Sequence, residues 1–501
     1  MDNLTSLWHG FAVAATPINL LMALVGSFVG TVVGALPGLG PINGVAILLP
    51  IAFALKLPAT SALILLAAVY LGCEYGGRIS AILINIPGDA GALMTTLDGY
   101  PMAKRGEAGV ALSISAWSSF VASVIGTIGM VLFAPALAHW ALAFGPAEYF
   151  ALMVFAIACL AGMVGESPVK TLLACVIGLA LATVGIDANS GVYRFTFGDV
   201  HLADGIQFVV VVIGLFSVSE ILLMLEQTHT GGEVMKASGR KWFNLQEAMY
   251  TWWGTIRSSL IGFVIGVLPG AGASIASAVT YMIEKNLTDT EGTFGKGDIR
   301  GVAAPEAANN SAANGAFIPM LTLGVPGSGT TAVMMGALTL YNITPGPMLF
   351  KEQPDLVWGL IASMFIGNVM LLVMNIPMVG LFARMLTVPN WFLVPAIAAI
   401  SFVGVYAIHA TTFDLVLMTG LGVFGYMLRK LDFPMAPLIL GFVLGDLMEQ
   451  NLRRALAISN GDVHILLGSG ITIGLWVAAA VMLVVPLLLR WKRNNKLIPT
   501  P

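Results

Sequence analysis

Two stretches of this chain are nearly the same, and their similarity constrains the fold more than any other feature. Residues 30–40 read GTVVGALPGLG, and residues 262–272 read GFVIGVLPGAG. Further echoes follow each copy in the same order: Ile86-Pro87-Gly88-Asp89 with Val325-Pro326-Gly327-Ser328, and Pro101-Met102 with Pro347-Met348. In an apolar chain, duplicated Pro-Gly breaks are typical of secondary transporters, in which broken helices of two repeats meet at the membrane midplane.

Composition places the chain in a membrane. Hydrophobic residues make up 57% of it and charged residues 10%, and the mean hydropathy is +0.90, whereas soluble domains carry about 25% charge. Apolar segments of roughly 20 residues recur along the whole length and predict about 10–13 transmembrane segments. We therefore expect an all-α polytopic membrane protein with additional re-entrant or broken helices in two inverted repeats. The net charge of −3 suggests no nucleic-acid partner.

The duplicated motifs divide the chain into four predicted regions. Residues 1–140 form a first repeat with Pro-Gly-broken helices, and residues 141–247 supply connecting spans and a cytoplasmic loop. Residues 248–380 form the second repeat with its own Pro-Gly breaks, and residues 381–501 supply C-terminal spans and a basic cytoplasmic tail. Two shorter apolar pieces are expected to be interrupted by Gly, Pro and Asn and to lie inside the bundle. They are residues 76–87 and 311–342.

Basic residues predict an orientation. Lys104-Arg105 and the segment Lys236–Lys241 should face the cytoplasm, which leaves the loop from Asp187 to Ala203 outside. Opposite charge bias at matching loops suggests that the two repeats are inverted in the membrane. Residues 434–450 either span the membrane or are re-entrant. An i,i+4 pair of Glu449 and Arg453 would stabilise charges near the end of that segment.

The Pro-Gly breaks are the first candidate binding elements. A helix that restarts after Pro37-Gly38 or Pro269-Gly270 presents free N–H groups and a positive dipole end, which is an anion site. Two such ends that face each other would clamp a carboxylate-bearing ligand. The alternative interpretation is that the glycines only permit close helix packing in lipid.

Polar residues near the breaks complete the predicted site. Asn, Ser and Thr donors suit a carboxylate, and carboxylate, amide and hydroxyl oxygens suit a hard cation such as sodium. Helix capping by residues such as Ser328 or Asn309 is the structural alternative. The predicted substrate-binding residues are Pro37, Gly38, Gly40, Asn43, Arg78, Pro269, Gly270, Gly272, Ser274, Asn310, Ser328 and Thr330. The predicted cation-binding residues are Asn85, Asp89, Asn314 and Thr331.

Charges in apolar segments leave alternatives open. Glu74 and Arg78 are spaced for an internal i,i+4 pair, although Arg78 is also placed to meet an anionic substrate. We expect Glu166 and Glu220 to lie at the membrane interface, while Glu306 lies at or near a span end. His409 and Asp414 are candidates for a proton relay, but a histidine beside a span end is more often structural.

These motifs resemble the large membrane subunit of the tripartite tricarboxylate transporter family. The closest likenesses are Leu97-Asp98-Gly99-Tyr100-Pro101 and Ala304-Pro305-Glu306-Ala307-Ala308-Asn309-Asn310. Arg78 departs from the small hydroxyl residue expected there in many members. The matching stretches are Gly34 to Gly44, Tyr75 to Gly88, Leu97 to Met102, Pro305 to Gly327, Pro345 to Phe350, and Leu447 to Asn460.

The resemblance implies a secondary active transporter subunit of the bacterial inner membrane. It implies import of citrate, other tri- or dicarboxylates, or aromatic acids, driven by a sodium or proton gradient without further cofactors. The implied partners are a small four-span membrane subunit and a periplasmic substrate-binding protein, and a homodimer is left open. A passive anion channel is a rival. A membrane enzyme is not expected, because the sequence lacks clustered metal-binding aspartates and an HExxH motif.

Overall fold

A computed structural model describes residues 3–163, 167–187, 190–226, 240, 242–270, 272–386 and 388–495. Within these ranges the chain is almost entirely helical, and its strands form one two-residue hairpin, Gly185–Ile186 (β1) with Tyr193–Arg194 (β2). This composition confirms the predicted all-α class. Glu166, the side chain of His409 and, apart from Arg240, the segment 236–241 lie outside the described residues.

Six helices precede the connecting region. They are α1 (Asn3–Ala14), α2 (Pro17–Ala35), α3 (Gly40–Ala54), α4 (Ala59–Ile84), α5 (Leu93–Lys104) and α6 (Ala108–Ala141). The connecting region has α7 (Pro146–Met163), α8 (Pro168–Ala182), the hairpin, a 3-10 turn (Val200–Leu202), and α9 (Phe208–Val212), which runs through a π-helical turn (Ile213–Val218) into α10 (Ser219–Glu226).

The second half repeats this helical character. Its helices are α11 (Leu245–Val267), α12 (Gly272–Thr288), α13 (Arg300–Gly315), α14 (Phe317–Leu323), α15 (Gly329–Leu340), α16 (Leu349–Glu352) and α17 (Pro354–Asn375). The C-terminal region has α18 (Val379–Met385), α19 (Asn390–His409), α20 (Thr412–Lys430), α21 (Met435–Ile458), a 3-10 turn (Val463–Leu467) and α22 (Gly470–Asn495).

Within the described residues, 6 helices are long and apolar enough to cross a membrane. They are Pro17–Ala35, Ala59–Ile84, Ala108–Ala141, Phe208–Glu226, Pro354–Asn375 and Trp391–Ile408. Shorter apolar helices of 10–17 residues accompany them, among them α3, α8 and α15. Together they form a multi-pass membrane protein in which short apolar helices supplement the long ones.

The same helix–break–helix pattern occurs in both halves. In the first half, α2 breaks before α3 and α4 breaks before α5. In the second half, α11 breaks before α12, and α13–α14 break before α15. The paired helices pack through glycine in both cases. A Cβ at Gly30 or Gly34 would collide with the α4 backbone, and one at Gly262 or Gly266 would collide with the α13 backbone. These glycines therefore serve close packing. The inversion and the four region boundaries stay predictions.

The chain breaks within both of the predicted pieces. Within 311–342 it breaks at Ala316 and again between α14 and α15. Within 76–87 it breaks only at Asn85, because α4 continues to Ile84. Gly76 lies inside this helix, and a Cβ there would meet the α2 backbone, with the nitrogen of Ala35 at 2.7 Å. The glycine permits helix contact instead of ending the helix.

The end of α21 carries a set of ion pairs. The helix runs from Met435 to Ile458, past the predicted segment 434–450. The predicted pair of Glu449 and Arg453 is confirmed, with 2.5 Å between Oε1 and Nη2. Arg194 of the hairpin also donates to Glu449 at 2.7 Å, and Arg453 donates to Asp187 at 2.7 Å. The hairpin loop is thereby fixed to the end of α21.

Candidate functional site

The Pro-Gly breaks of both halves line one cavity of about 540 Å³. Gly38 and Gly40 contribute from the first half, and Gly270 and Gly272 contribute from the second. The other predicted residues on its wall are Asn43, Asp89, Ser274, Ser328 and Thr330. Pro37 and Pro269 belong to the same breaks but do not line the cavity. The structure thus brings together segments that are far apart in sequence.

Matching sequence produces matching backbone at the first break of each half. The φ angles are 88° at Gly38 and 60° at Gly40, and they are 79° at Gly270 and 67° at Gly272. Side chains other than glycine rarely adopt this left-handed conformation. The helices α3 and α12 then start at Gly40 and Gly272, so their first N–H groups lack intrahelical partners beside the cavity.

The second breaks also correspond. Asn85 ends α4 with φ 59°, and Gly324 ends α14 with φ 65°. Asn85 is exposed and does not line the cavity. Ser328 and Thr331 form a capping box at the start of α15, with the Ser328 amide donating to Thr331 Oγ1 at 2.8 Å. The capping interpretation of Ser328 is therefore confirmed, and this residue also reaches the cavity.

The predicted asparagines of α13 lie away from the cavity. Asn310 donates from Nδ2 to Ser119 Oγ at 2.8 Å, and Asn314 accepts from Thr127 Oγ1 at 3.0 Å. Both are buried between α13 and α6. Glu306 is buried beside them, inside α13, and accepts from Thr95 Oγ1 at 2.6 Å. These contacts join the two halves.

Arg78 does not pair with Glu74, so the i,i+4 alternative is wrong. Its guanidinium lies 4.5 Å from the Tyr75 ring centroid and donates to Asn375 Oδ1 at 3.4 Å. Arg78 is buried and does not line the cavity. Glu74 points instead to the cavity wall. Tertiary packing explains why the two side chains do not pair, because α17 supplies Asn375 to one face of α4 and the cavity lies at another face.

Glu74, Asp89 and Asn309 form an oxygen-rich cluster beside the cavity. Both carboxylates line its wall, and Asp89 Oδ1 accepts from the Ala92 amide at 2.9 Å. Asn309 is completely buried next to Glu74, and its amide oxygen faces Gly91. Within the described chain, neither side-chain polar atom of Asn309 has a hydrogen-bond partner, and Glu74 Oε2 has none.

The sequence predicts Asp89 as a cation ligand, and the structure places Glu74 and Asn309 beside it. Spacing favours a pair of Glu74 with Arg78 instead, and the capping alternative for Asn309 is wrong, because Asn309 lies inside α13. Tyr70 is a further residue that the sequence did not predict. It lines the cavity and lies within hydrogen-bond distance of Ser328 Oγ, at 3.3 Å. The unusual polar content of α4, which is otherwise apolar, was the available signal.

Arg429 is the one basic side chain on the cavity wall among the described residues. It comes from the end of α20 and forms an ion pair with Glu220 of α10. Glu220 is buried by neighbouring protein, with only 7% of the residue accessible, and its location at the membrane interface stays a prediction. The helices α10 and α20, which lie outside both predicted repeats, bring the pair to the cavity.

Comparisons with known proteins identify a family and relatives of this chain. The sequence model of the "Tripartite tricarboxylate transporter TctA family" matches residues 20–440. An "Uncharacterized 52.8 kDa protein in TAR-I ttuC' 3'region" of Agrobacterium vitis is 42% identical over 497 residues, covering 99% of each chain. An "Uncharacterized protein in TAR-II ttuC' 3'region" of the same organism is 45% identical over 236 residues, covering 47% of this chain and 98% of the relative.

No solved structure matches the chain. The family match covers both Pro-Gly breaks of each half and every residue that lines the cavity. The nearly full-length relative shows that the similarity is not confined to one repeat. This chain therefore belongs to the TctA family of tripartite tricarboxylate transporters, and it is a multi-pass membrane transport component, not an enzyme.

Proposed function

We propose that this chain imports citrate or other tri- and dicarboxylates across the bacterial inner membrane, driven by a sodium or proton gradient. The observation that carries the proposal is the single cavity between the paired breaks. It combines helix N-termini and hydroxyl donors, which suit an anion, with two carboxylates, which suit a cation. A symporter needs both kinds of site close together.

A carboxylate would bind at the starts of α3 and α12. Each helix begins at a left-handed glycine, Gly40 or Gly272, and presents N–H groups and a positive dipole end. Ser274 and Thr330 add hydroxyl donors on the same wall. Because the cavity also receives Arg429, it has three separate features that attract negative charge, which favours ligands with more than one carboxylate.

A coupling cation would bind at Glu74, Asp89 and Asn309. Sodium prefers hard oxygen ligands, and within the described chain Glu74 Oε2 and Asn309 Oδ1 have no hydrogen-bond partner. A proton would bind at one of the two carboxylates. Because the carboxylates also line the substrate cavity, a bound positive charge would lower the electrostatic cost of admitting an anion.

Membership in a tripartite family supports two partners for this chain. We propose a small four-span membrane subunit and a periplasmic binding protein that delivers the carboxylate. The two halves, related as inverted repeats, would then rearrange to open the cavity to the cytoplasm. A homodimer is compatible with this scheme.

The test is uptake of labelled citrate by cells that produce this chain with a small membrane subunit and a binding protein of the family. Uptake that requires the binding protein and a sodium or proton gradient is the expected result. Dicarboxylates and aromatic acids are tested in parallel. Carboxylate flux that neither saturates nor responds to a gradient would contradict the proposal and indicate a channel.

A further inference from the structure

The ion pair of Arg429 and Glu220 lies at the cavity instead of on the protein surface. The two side chains are 18% and 10% exposed. Arg429 lines the cavity together with Phe216, and its guanidinium carbon lies 5.9 Å from that ring centroid. Phe216 belongs to the π-helical turn that precedes Glu220, and such turns are frequent at functional sites.

Glu220 also touches the first Pro-Gly break. A Cβ built on Gly38 would lie 3.0 Å from Oε1 of Glu220. The carboxylate of Glu220 therefore rests against the break that is proposed to bind a substrate carboxylate. An internal carboxylate already occupies this position, and it is held there by the one basic side chain on the described cavity wall.

We propose that Arg429 binds a carboxylate of the substrate and that Glu220 is the internal counter-ion that this carboxylate displaces. The inference rests on the proposed carboxylate transport and adds two residues to it. In the empty state, Glu220 neutralises a buried cation that would otherwise lack a partner. In the loaded state, the substrate carboxylate takes over Arg429 and the position beside Gly38. A ligand with a single carboxylate cannot occupy both this position and the other proposed anion site, at the start of α12.

The chain offers a matched control on the same two helices. Glu226 of α10 pairs with Lys430 of α20 at 2.5 Å, and their side chains are 48% and 45% exposed. Neither residue lines the cavity. Replacing Glu226 removes an ion pair between α10 and α20 without altering the cavity wall. Its effect on transport therefore measures the loss of a helix contact alone.

The experiment measures the apparent KM for citrate, and for succinate as a dicarboxylate, in cells with the complete transporter. Variants are Arg429→Gln, Glu220→Gln, the double variant, and Glu226→Gln, each checked for its amount in the membrane. Arg429→Gln should raise the KM at least about tenfold, the cost of one charge-assisted hydrogen bond. Glu220→Gln should lower the KM, because the internal carboxylate that competes with the substrate for Arg429 is removed. Glu226→Gln should leave the KM unchanged.

The double variant separates substrate binding from a structural role. It leaves no unpaired charge, so it should assemble and yet keep the raised KM of Arg429→Gln. Recovery of the wild-type KM in the double variant would overturn the inference, since the pair would then be only structural. A wild-type KM in Arg429→Gln would overturn it as well. Absence of wild-type uptake for every di- and tricarboxylate would instead contradict the proposed function itself.

Discussion

The amide of Gly270 donates a 2.9 Å hydrogen bond to the carbonyl of Gly327. These glycines belong to the two Pro-Gly breaks of the second half, so the backbone itself ties one break to the other. In the first half, a Cβ on Gly88 would collide with the carbonyl of Gly34, so the second break there packs against the end of α2, just before the first break. The two breaks of each half therefore lie close together.

The carboxylate of Asp89 should determine the cation dependence of transport. Replacing it in Asp89→Asn removes a charge from the oxygen-rich cluster, and the half-saturating sodium concentration or the proton dependence of uptake should change at least about tenfold. Asp355→Asn is the control, because Asp355 forms an exposed pair with His9 away from the cavity. Unchanged cation dependence in Asp89→Asn would remove Asp89 from the coupling site.

Asp98 should contribute strongly to stability. Its Oδ1 accepts from the amides of Gly295, Gly297 and Asp298 at 2.8–2.9 Å, and its Oδ2 accepts from the Tyr281 hydroxyl at 2.9 Å. Asp98→Ala leaves buried donors without partners and should cost about 3 kcal/mol or more. The unfolding temperature in detergent measures this loss of stability. A drop no larger than that of Asp355→Ala, which removes an exposed pair worth less than about 1 kcal/mol, would contradict the expectation.

The loop between α12 and α13 should lose stability in acid through Asp298. Burial acts to raise the pKa of Asp298, but hydrogen bonds from Arg300 at 2.7 Å and Thr293 at 2.6 Å outweigh it and hold the pKa below its usual range. A lowered pKa in the folded state stabilises the protein at neutral pH. This contribution is lost as the pH falls below about 4 and through the folded-state pKa.

Amide hydrogen exchange in residues 289–299 checks this pH dependence against Asp298→Asn. At pH 7 the wild type should be better protected than the variant by about 1.5–3 kcal/mol, the range for hydrogen bonds to charged groups. The difference should shrink as the pH falls. A difference that stays constant down to strongly acidic pH would show that the charge of Asp298 is not responsible.

The predicted orientation is testable with single cysteines. Lys104→Cys should react with a membrane-impermeant thiol reagent only from the cytoplasmic side, because Lys104 follows the positive-inside pattern and is exposed. Phe197→Cys is the matched site, since Phe197 is 91% exposed in the loop predicted to lie outside. The native cysteines are buried. Labelling of Lys104→Cys from outside would overturn the topology.

The sequence was most informative where local chemistry determines structure. The repeated LPG(L/A)G motif specifies left-handed glycines, and the structure has them at Gly38 and Gly270 with φ 88° and 79°. The end of α14 at Gly324, with φ 65°, likewise follows from a local residue. Gly76 shows the limit of this reasoning, because a glycine that packs against another helix looks the same in sequence as one that ends a helix.

Charged partners were the least predictable part of the site. The i,i+4 spacing suggested a pair of Glu74 with Arg78, but the two side chains point to different neighbours. Glu220 and Arg429 belong to helices outside both predicted repeats, and no local signal indicates that these helices meet. Such contacts depend on tertiary packing, which overrides the weak preference of two charges for a shared helix face.

The central claim is that both Pro-Gly breaks hold the substrate, and citrate uptake by Gly38→Val and Gly270→Val tests it most directly. Gly106→Val is the control, because Gly106 has φ 82° but no neighbouring atom within 4 Å of an added Cβ. A valine at Gly106 therefore introduces the same kind of backbone strain as a valine at Gly38 or Gly270, about 1–2 kcal/mol. The account predicts that both break variants reach the membrane but lose uptake, while Gly106→Val retains it. Wild-type uptake in both break variants would contradict the account.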